Sequence, residues 1–495
     1  MHDGTLLAAI DLGSNSFRLE IGQWRAGHVE RVAYLKETVR LGAGLSDDKT
    51  LTQAAIETGL ACLARFGERL RDFDPAHVRA VATQTLREAR NAQAFVELGQ
   101  KALGFPIAVV SGTEEARLIY QGVSRLLPPS DERRLVIDIG GRSTEFVIGQ
   151  GYEAHTMASF RLGSVSWSSR YFANGELNSK NFDHAMTAAQ AILEEALDQF
   201  ATSRWDIALG ASGTVGAVAD VLNATRDAGG VIRKADLSWL LQRLIKAKHV
   251  DQVDLPSLKP DRRPVIGGGV SILMAIFDLF GIDQLTAAQG ALRQGALHDL
   301  VERDDDSHAD VRERTALHLQ QRFQVDLPQA QRVCEVAQTL FSQVAKVNKK
   351  NQRYSHKLRW TAMLHEIGSL ISHADAPEHG AYLLAHVDAA GFAMDELQHM
   401  SDLLRAQRGK LRKAEHLLIN ELFAKQLFAL RLAVLLCHSR RTPAIEAMRC
   451  SFDNKNLSLR LPLAWADQHP QSMYLLRNEA AQWQKVGWSF DLKMV

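Results

Sequence analysis

Hydrophobic and polar positions set out one organising pattern near the start of the chain. In residues 8–22, AAIDLGSNSFRLEIG, apolar Ala8, Ala9 and Ile10 lead to Asp11, a polar turn follows at Gly13-Ser14-Asn15-Ser16, and β-prone Phe17, Leu19 and Ile21 resume. That reads as strand, tight turn, strand. Residues 135–149, LVIDIGGRSTEFVIG, repeat it in register: Ile10, Asp11, Gly13, Ser16, Ile21 and Gly22 fall on Ile137, Asp138, Gly140, Ser143, Ile148 and Gly149. Two such hairpins predict two related halves that share a cleft.

The remaining pattern fills in those halves and then changes. Residues 29–41 continue as a strand carrying Lys36 and Arg40, and Ala55, Leu60, Leu63, Phe66 and Leu70 mark a helical stripe. Val78, Ala80 and Val81 predict a strand that gives way at Thr83-Gln84-Thr85 to a helix with Arg87 and Arg90. A strand over 107–110 ends at Ser111-Gly112-Thr113, and a helix opens on Glu114 and Glu115. Pro128-Pro129 and the charges around them predict a linker over 124–134. Residues 205–220, WDIALGASGTVGAVAD, read as strand, small-residue turn and helix, and residues 264–277, PVIGGGVSILMAIF, as a glycine-rich entry to an apolar helix. In a nucleotide-binding protein the base would lie between those two segments. Residues 285–299 supply a last strand and helix, and the acidic stretch 300–312 a linker. Beyond it leucines recur without strand alternation, and His356, His365, His373, His379 and His386 crowd in. Residues 446–495 return to alternation in LSLRLPLAW and close on aromatics, as a small α/β cap.

Composition narrows the class. A chain of 495 residues has room for roughly three or four domains. Its 46% hydrophobic and 23% charged residues are those of a globular protein that buries its cores without staples. A net charge of +1 gives no global field for nucleic acid or membrane, so a polyanion would need a local basic track. Cys62, Cys334, Cys437 and Cys450 form no CxxC, which points to reduced thiols in the cytoplasm, with at most a peripheral place at the inner membrane face. The start, MHDGTLLAAIDLG, lacks the basic head and apolar core of a signal peptide, and no stretch is apolar enough to predict a transmembrane segment.

The turns carry the chemistry. Glycine followed by small polar residues lets successive N–H groups converge on an anion. Gly13, Ser14, Asn15 and Ser16, then Gly140, Gly141, Arg142, Ser143 and Thr144, are therefore candidate phosphate grips. Asp11, at its strand end, suits a hydrated divalent cation; Asp138 repeats it, and Glu145 on the returning strand completes a metal or water site. Thr83 and Arg87, at a helix start, are placed for a phosphate, and Gly213 for close backbone approach. Helical neighbours point about 100° apart, so only one of Glu114 and Glu115 can face the cleft. A carboxylate there could take a proton from water attacking phosphorus. His365-Glu366 looks like the His-Asp pair of metal-dependent phosphohydrolases and is expected to be a structural remnant. Lys346, Lys349, Lys350, Arg353, Lys357 and Arg359, then Arg405, Arg408, Lys410, Arg412 and Lys413, are candidates for a polyanion track.

At the paired hairpins the chain resembles the actin-like ATPase superfamily. SGTEEARLIYQG, VIDIGGRSTE, GASGT, ALRQGAL and MLHEIG narrow the resemblance to the exopolyphosphatase / guanosine pentaphosphate phosphatase family, and to its long bacterial exopolyphosphatases. The resemblance implies an α/β fold of two actin-like (ribonuclease H-like) domains, residues 1–130 and 131–305. An all-α domain like that of the His-Asp phosphohydrolases, 306–445, and a small α/β domain, 446–495, follow. It implies Mg²⁺-dependent release of terminal orthophosphate from inorganic polyphosphate by a homodimer, with 5′-phosphatase action on guanosine pentaphosphate (pppGpp) in the same site as the alternative. By motif, Glu115 matches the family's catalytic base, Asp138 and Glu145 its other essential acids, and Arg87 a basic residue near the substrate. One position departs: the family's GGGSTE reads GGRSTE here, so Arg142 either strains a backbone that needs positive φ or adds a phosphate contact. A small-molecule kinase or an actin-like assembly protein would share the paired loops; Glu114-Glu115, placed for water, argues against both.

Overall fold

The structure, a computed structural model, describes residues 1–128, 130–304, 311–345 and 352–495. Lys346, Lys349 and Lys350 of the first basic run, and Pro129 of the predicted linker, lie outside the described residues. The chain divides into two compact units, Met1–His308 and Ala309–Val495.

Two sheets of like topology make up the first unit. Strands β1 (Leu6–Leu12), β2 (Phe17–Arg25) and β3 (His28–Glu37) form an antiparallel meander. β4 (Val78–Ala82) adds in parallel on the far side of β1, and β5 (Ile107–Val109) beside it. The second sheet repeats this with β6 (Arg133–Ile139), β7 (Thr144–Gln150) and β8 (Glu153–Phe160) as the meander. β9 (Ile207–Ala211) lies parallel to β6, followed by β11 (Gln284–Ala287), with β10 (Val231–Arg233) at the edge. The hairpins keep one register, with Asp11 opposite Arg18 and Asp138 opposite Glu145. Both meanders slip at the same repeat position, between Ile21 and Gly22 and between Ile148 and Gly149. A bulge at matching places bends each meander alike. This is the actin-like architecture expected from the resemblance.

Period-two alternation lets one strand serve two cores. Ala8, Ile10 and Leu12 face the core of the first half, while Leu7 and Ala9 face a core shared by both halves. Leu135, Ile137 and Ile139 face the second half's core, and Val136 the shared one. Two helices fill that shared core, Gly112–Ser124 and Leu292–Asp304. The second of these follows the second sheet in sequence and is expected with it in residues 131–305, yet it packs on β1, β4 and the 112–124 helix. Leu292, Ala296, Leu297 and Leu300 bury there beside Ala116, Leu118 and Ile119. Gly122 and Gly295 lie at the crossing, where a Cβ on either would overlap backbone of the other helix.

The glycines of 266–269 serve packing. They open the buried helix Ile266–Leu279, where Gly268 N–H donates to Ser168 Oγ at 3.1 Å and Gly269 lies against Thr214. The segments 205–220 and 264–277, expected to flank a nucleotide base, touch each other here.

In the second unit, helices Val311–Arg322, Leu327–Val344, Gln352–Met363, Ala376–His386, Met394–Ala406 and Glu421–Leu436 surround one core. A three-stranded sheet, β12 (Arg449–Asp453), β13 (Asn456–Leu461) and β14 (Ser489–Met494), caps it. Met448, Leu457, Leu459 and Trp483 belong to the same core as Phe341, Leu427 and Phe428, so residues 446–495 add to the helical core rather than build their own. Buried Arg431 pins the cap through Glu479, at 2.6 and 2.7 Å. All four cysteines are buried and unbridged. Among the described residues no helix is long and apolar enough to cross a membrane.

Candidate active site

The two hairpin turns stand face to face in the first unit. They are built alike: a Cβ on Gly13 or on Gly140 would stand 3.1 Å from the carbonyl oxygen of Ser16 or Ser143. A Cβ on Gly141 would stand 3.5 Å from Ser14 Cβ, so the loops are in contact. Beside them opens a cleft with about 100 Å³ of room for water centres, continuous with solvent. Of the residues predicted from sequence, Asp11, Gly13, Ser14, Asn15, Ser16, Thr83, Glu115, Asp138, Gly140, Gly141, Arg142, Ser143 and Gly213 line it. The Ser16 hydroxyl is buried there without a hydrogen-bond partner among the described residues. The backbone N–H groups and hydroxyls of the two loops suit the cleft to an anion, beside apolar Ile119, Ile139, Val165 and Leu292.

The 112–124 helix delivers one glutamate to the cleft and one away from it. Ser111 Oγ caps the helix by accepting from Glu114 N at 3.1 Å. Glu115 faces the cleft, and its Oε2 accepts from Arg87 Nη1 at 2.7 Å. Glu114 turns into the shared core, accepting from Arg117 at 2.7 and 2.9 Å and from Arg79 at 3.1 Å.

Acidic side chains cluster around Glu115. Burial pushes the Asp138 carboxyl up to about 7, and the charge of Glu115 adds to the shift. Burial also raises Glu115, against the pull of Arg87, and raises Glu145 well above the usual carboxylate range, with Glu115 and Asp138 contributing. Asp11 has Arg18 at 3.7 Å and Arg293 at 3.6 Å; no ion pair reaches Asp138 or Glu145 among the described residues. Clustered buried carboxylates with raised pKa values mark a site built for a counter-charge.

Asp11, Asp138 and Glu145 do not form a three-ligand metal cage. Among the described residues no three His, Cys, Asp or Glu side chains converge that way. Glu145 lies behind the cleft wall, its Oε1 accepting from Ser159 Oγ at 2.8 Å, and Asp11 is shared with two arginines. Mg²⁺ ordinarily keeps its waters and substrate phosphates around one or two carboxylates. Asp138, which no ion pair reaches among the described residues, lines the cleft with Asp11 and fits that simpler arrangement.

Three predicted phosphate contacts also bond to the protein itself. The Thr144 hydroxyl is fully buried and donates to the Leu162 carbonyl, because β7 turns it away from the cleft. Arg87 holds Glu115, Gln84 and the Val110 carbonyl. Arg142 is not among the positive-φ residues, so it carries no left-handed strain. Its guanidinium donates to Glu88 at 2.9 Å and to the Gly42 carbonyl at 3.2 Å.

Other residues of the cleft were not anticipated. Arg18 occupies the hairpin position where the second half has Glu145, a charge inversion visible in the repeat itself. Arg262 lies over Gly213, where a Cβ would overlap its guanidinium; no motif announces it. Burial lowers the Arg262 pKa, and the charge of Arg18 adds to that. Ser212 holds φ +76°, a strained value for a residue with a side chain, and its hydroxyl donates to the Ile139 carbonyl at 2.7 Å beside Asp138.

In the second unit, His365 is buried, with Nδ1 2.8 Å from the Ala362 carbonyl oxygen, and burial lowers its pKa. Glu366 points elsewhere, accepting from Arg440 at 2.9 Å. Several members of the basic runs are in ion pairs: Arg359 with Glu313 at 2.7 Å, and Lys413 and Arg405 with Glu378 at 2.7 and 3.3 Å.

Comparison with known proteins bears on this cleft. The model of the Ppx/GppA phosphatase family matches residues 21–304, and that of Ppx/GppA phosphatase domain III matches residues 311–480. The chain is 37% identical to a guanosine-5′-triphosphate,3′-diphosphate pyrophosphatase of Photobacterium profundum, over 99% of this chain and 98% of that protein. It is 38% identical to the protein of the same name from Vibrio atlanticus, with the same coverage. An exopolyphosphatase from Cytophaga hutchinsonii shares the fold, with a TM-score of 0.54 and 23% identity over 60% of this chain and 98% of that one.

Proposed function

The chain belongs to the Ppx/GppA phosphatase family, and from that premise we propose that it removes the terminal 5′-phosphate of guanosine 5′-triphosphate 3′-diphosphate. One observation carries the reaction: of two adjacent glutamates, Glu115 alone faces the cleft between twin anion loops, buried among carboxylates. In this reading the N–H groups of both loops and the Ser16 hydroxyl hold the terminal phosphoryl group. Glu115 orients a water and accepts its proton as the oxygen attacks phosphorus. The bond to the bridging oxygen breaks, and orthophosphate and a shortened nucleotide leave. Asp138, with Asp11 through water, would hold Mg²⁺, which supplies positive charge to the phosphate oxygens. Glu145, behind them, keeps the site acidic.

This order of substrates reverses the expectation from sequence, which put polyphosphate first. The full-length relatives are named for the nucleotide. The basic runs that favoured a polymer track are partly occupied by Glu313 and Glu378. The homodimer and the phosphohydrolase-like reading of residues 306–445 stay with the proposal as carried over from the resemblance, and the cytoplasmic setting as the expectation from the unpaired cysteines. The test is orthophosphate release by the purified chain from pppGpp and from long-chain polyphosphate. A kcat/KM at least about tenfold higher for the nucleotide is expected. A preference for the polymer would overturn the substrate, and wild-type turnover by Glu115→Gln would overturn the mechanism.

A further inference from the structure

The residue that departs from the family's loop pattern stands at the end of a continuous polar chain that reaches Glu115. Arg142 Nη2 donates to Glu88 Oε2 at 2.9 Å. Glu88 Oε1 accepts from Gln84 Nε2 at 2.6 Å. Gln84 Oε1 accepts from Arg87 Nη2 at 2.6 Å and Nε at 3.1 Å. Arg87 Nη1 then donates to Glu115 Oε2 at 2.7 Å.

Chemistry makes this chain directional. A carboxylate only accepts and a guanidinium only donates. Gln84 therefore has one amide orientation that satisfies both neighbours, with its NH₂ on Glu88 and its oxygen on Arg87. Turned over, it would set donor against donor and acceptor against acceptor. Arg142 is the cation bonded to Glu88 and, with Lys49 and the Gln84 amide, favours its charged form; Arg161 stays 3.9 Å away and largely exposed. Held by Gln84 on two nitrogens, Arg87 has its third, which also donates to the Val110 carbonyl at 3.0 Å, aimed at Glu115.

One short helix gathers these links. Gln84–Glu88 spans five residues and also touches the opposite loop, through Thr85 Oγ1 to Ser14 Oγ at 2.8 Å. A shift of either phosphate loop is thus felt at the helix that carries Arg87. Arg142 gives one N–H of each Nη to a protein acceptor, which fixes its guanidinium between the Gly42 carbonyl and Glu88.

We propose that Arg142 is a positioning residue for Glu115, acting through Glu88, Gln84 and Arg87. The inference rests on the reading of Glu115 as the group that activates water. The experiment uses the full chain with Arg142→Met, Arg142→Lys and Arg142→Met/Glu88→Gln, assayed for orthophosphate release from pppGpp. Arg142→Met is expected to lower kcat about tenfold with KM within about twofold. Lysine should restore most of that loss, and the double variant should be no slower than Arg142→Met alone. A KM raised tenfold at unchanged kcat, or wild-type kinetics in Arg142→Met, would overturn the proposal. A crystal structure of Arg142→Met tests it without substrate: loss of the Gln84–Arg87–Glu115 contacts supports it, and their retention overturns it. A wild-type protein inactive on the nucleotide would defeat only the function proposed above, leaving that crystallographic result to decide.

Discussion

Glu114 and Glu115 sit on one helical turn, and their surroundings are electrostatic opposites. Glu114 belongs to a closed buried cluster in which it and Asp299 face Arg79, Arg117 and Arg303. There burial would raise the Asp299 carboxyl, but the three arginines outweigh it and hold it below the usual range. Glu115 belongs to an open cluster, where among the described residues no ion pair reaches Asp138 or Glu145, and burial prevails over the charges of Arg18 and Arg87. Burial alone therefore does not decide the ionisation of a carboxylate in this protein; the number of counter-charges supplied by the fold does. The closed cluster joins the 112–124 helix to the 292–304 helix, and the open one leaves room for a charge that a ligand brings.

Exchanging the two roles is the strongest way to break this contrast. Glu115→Gln should lower kcat by about 10²- to 10⁴-fold without lowering thermal stability. Glu114→Gln should do the reverse, costing about 3–5 kcal/mol in denaturant unfolding because it unbalances a buried ion cluster, while the folded enzyme keeps most of its rate. Equal loss of rate in both, with stability kept, would erase the distinction.

A smaller effect sharpens it through pH. The Asp138 carboxyl titrates at about 7 in the native protein against an ordinary value of 3.8. Between those values the native state holds a proton that the unfolded chain has released, so this group's contribution to stability falls as pH rises from about 4 to 7. Asp299 has the opposite sign: its contribution is present above the ordinary aspartate range and is lost as pH falls below it. Asp138→Asn should therefore stabilise the Mg²⁺-free protein by of order 2 kcal/mol at pH 8 and by little at pH 4, measured by urea unfolding. A gain equal at both pH values would show that the raised carboxyl does not destabilise the site. The smallest shift expected is with the ion itself: saturating Mg²⁺ should raise the wild-type Tm by about 2–4 °C and that of Asp138→Asn by less. An equal rise in both would remove Asp138 from the ion's surroundings.

Much of this cleft was legible from residues close together in the chain. The two hairpins, their shared register and the acids at their strand ends follow from alternation around a polar turn, because a strand's period and a turn's residue types are local properties. That only one of Glu114 and Glu115 could face the cleft followed from helical geometry. The pattern could not say where the 292–304 helix would dock, since an apolar face specifies burial and not a partner. Thr144 was misread as a grip for a related reason: its residue type suits an anion loop, but the pleat of β7 points it at Leu162.

What the sequence by itself determined is the repeated frame: two meanders, two anion turns and a set of carboxylates near them. What only the tertiary structure decided is which charges meet. Glu88 and Arg142 lie far apart in the chain, as do Arg117 and Asp299, and such pairs form only when packed elements bring them within reach. Period and turn chemistry are encoded within a few residues, whereas the pairing of a buried charge depends on every segment that excludes water from it.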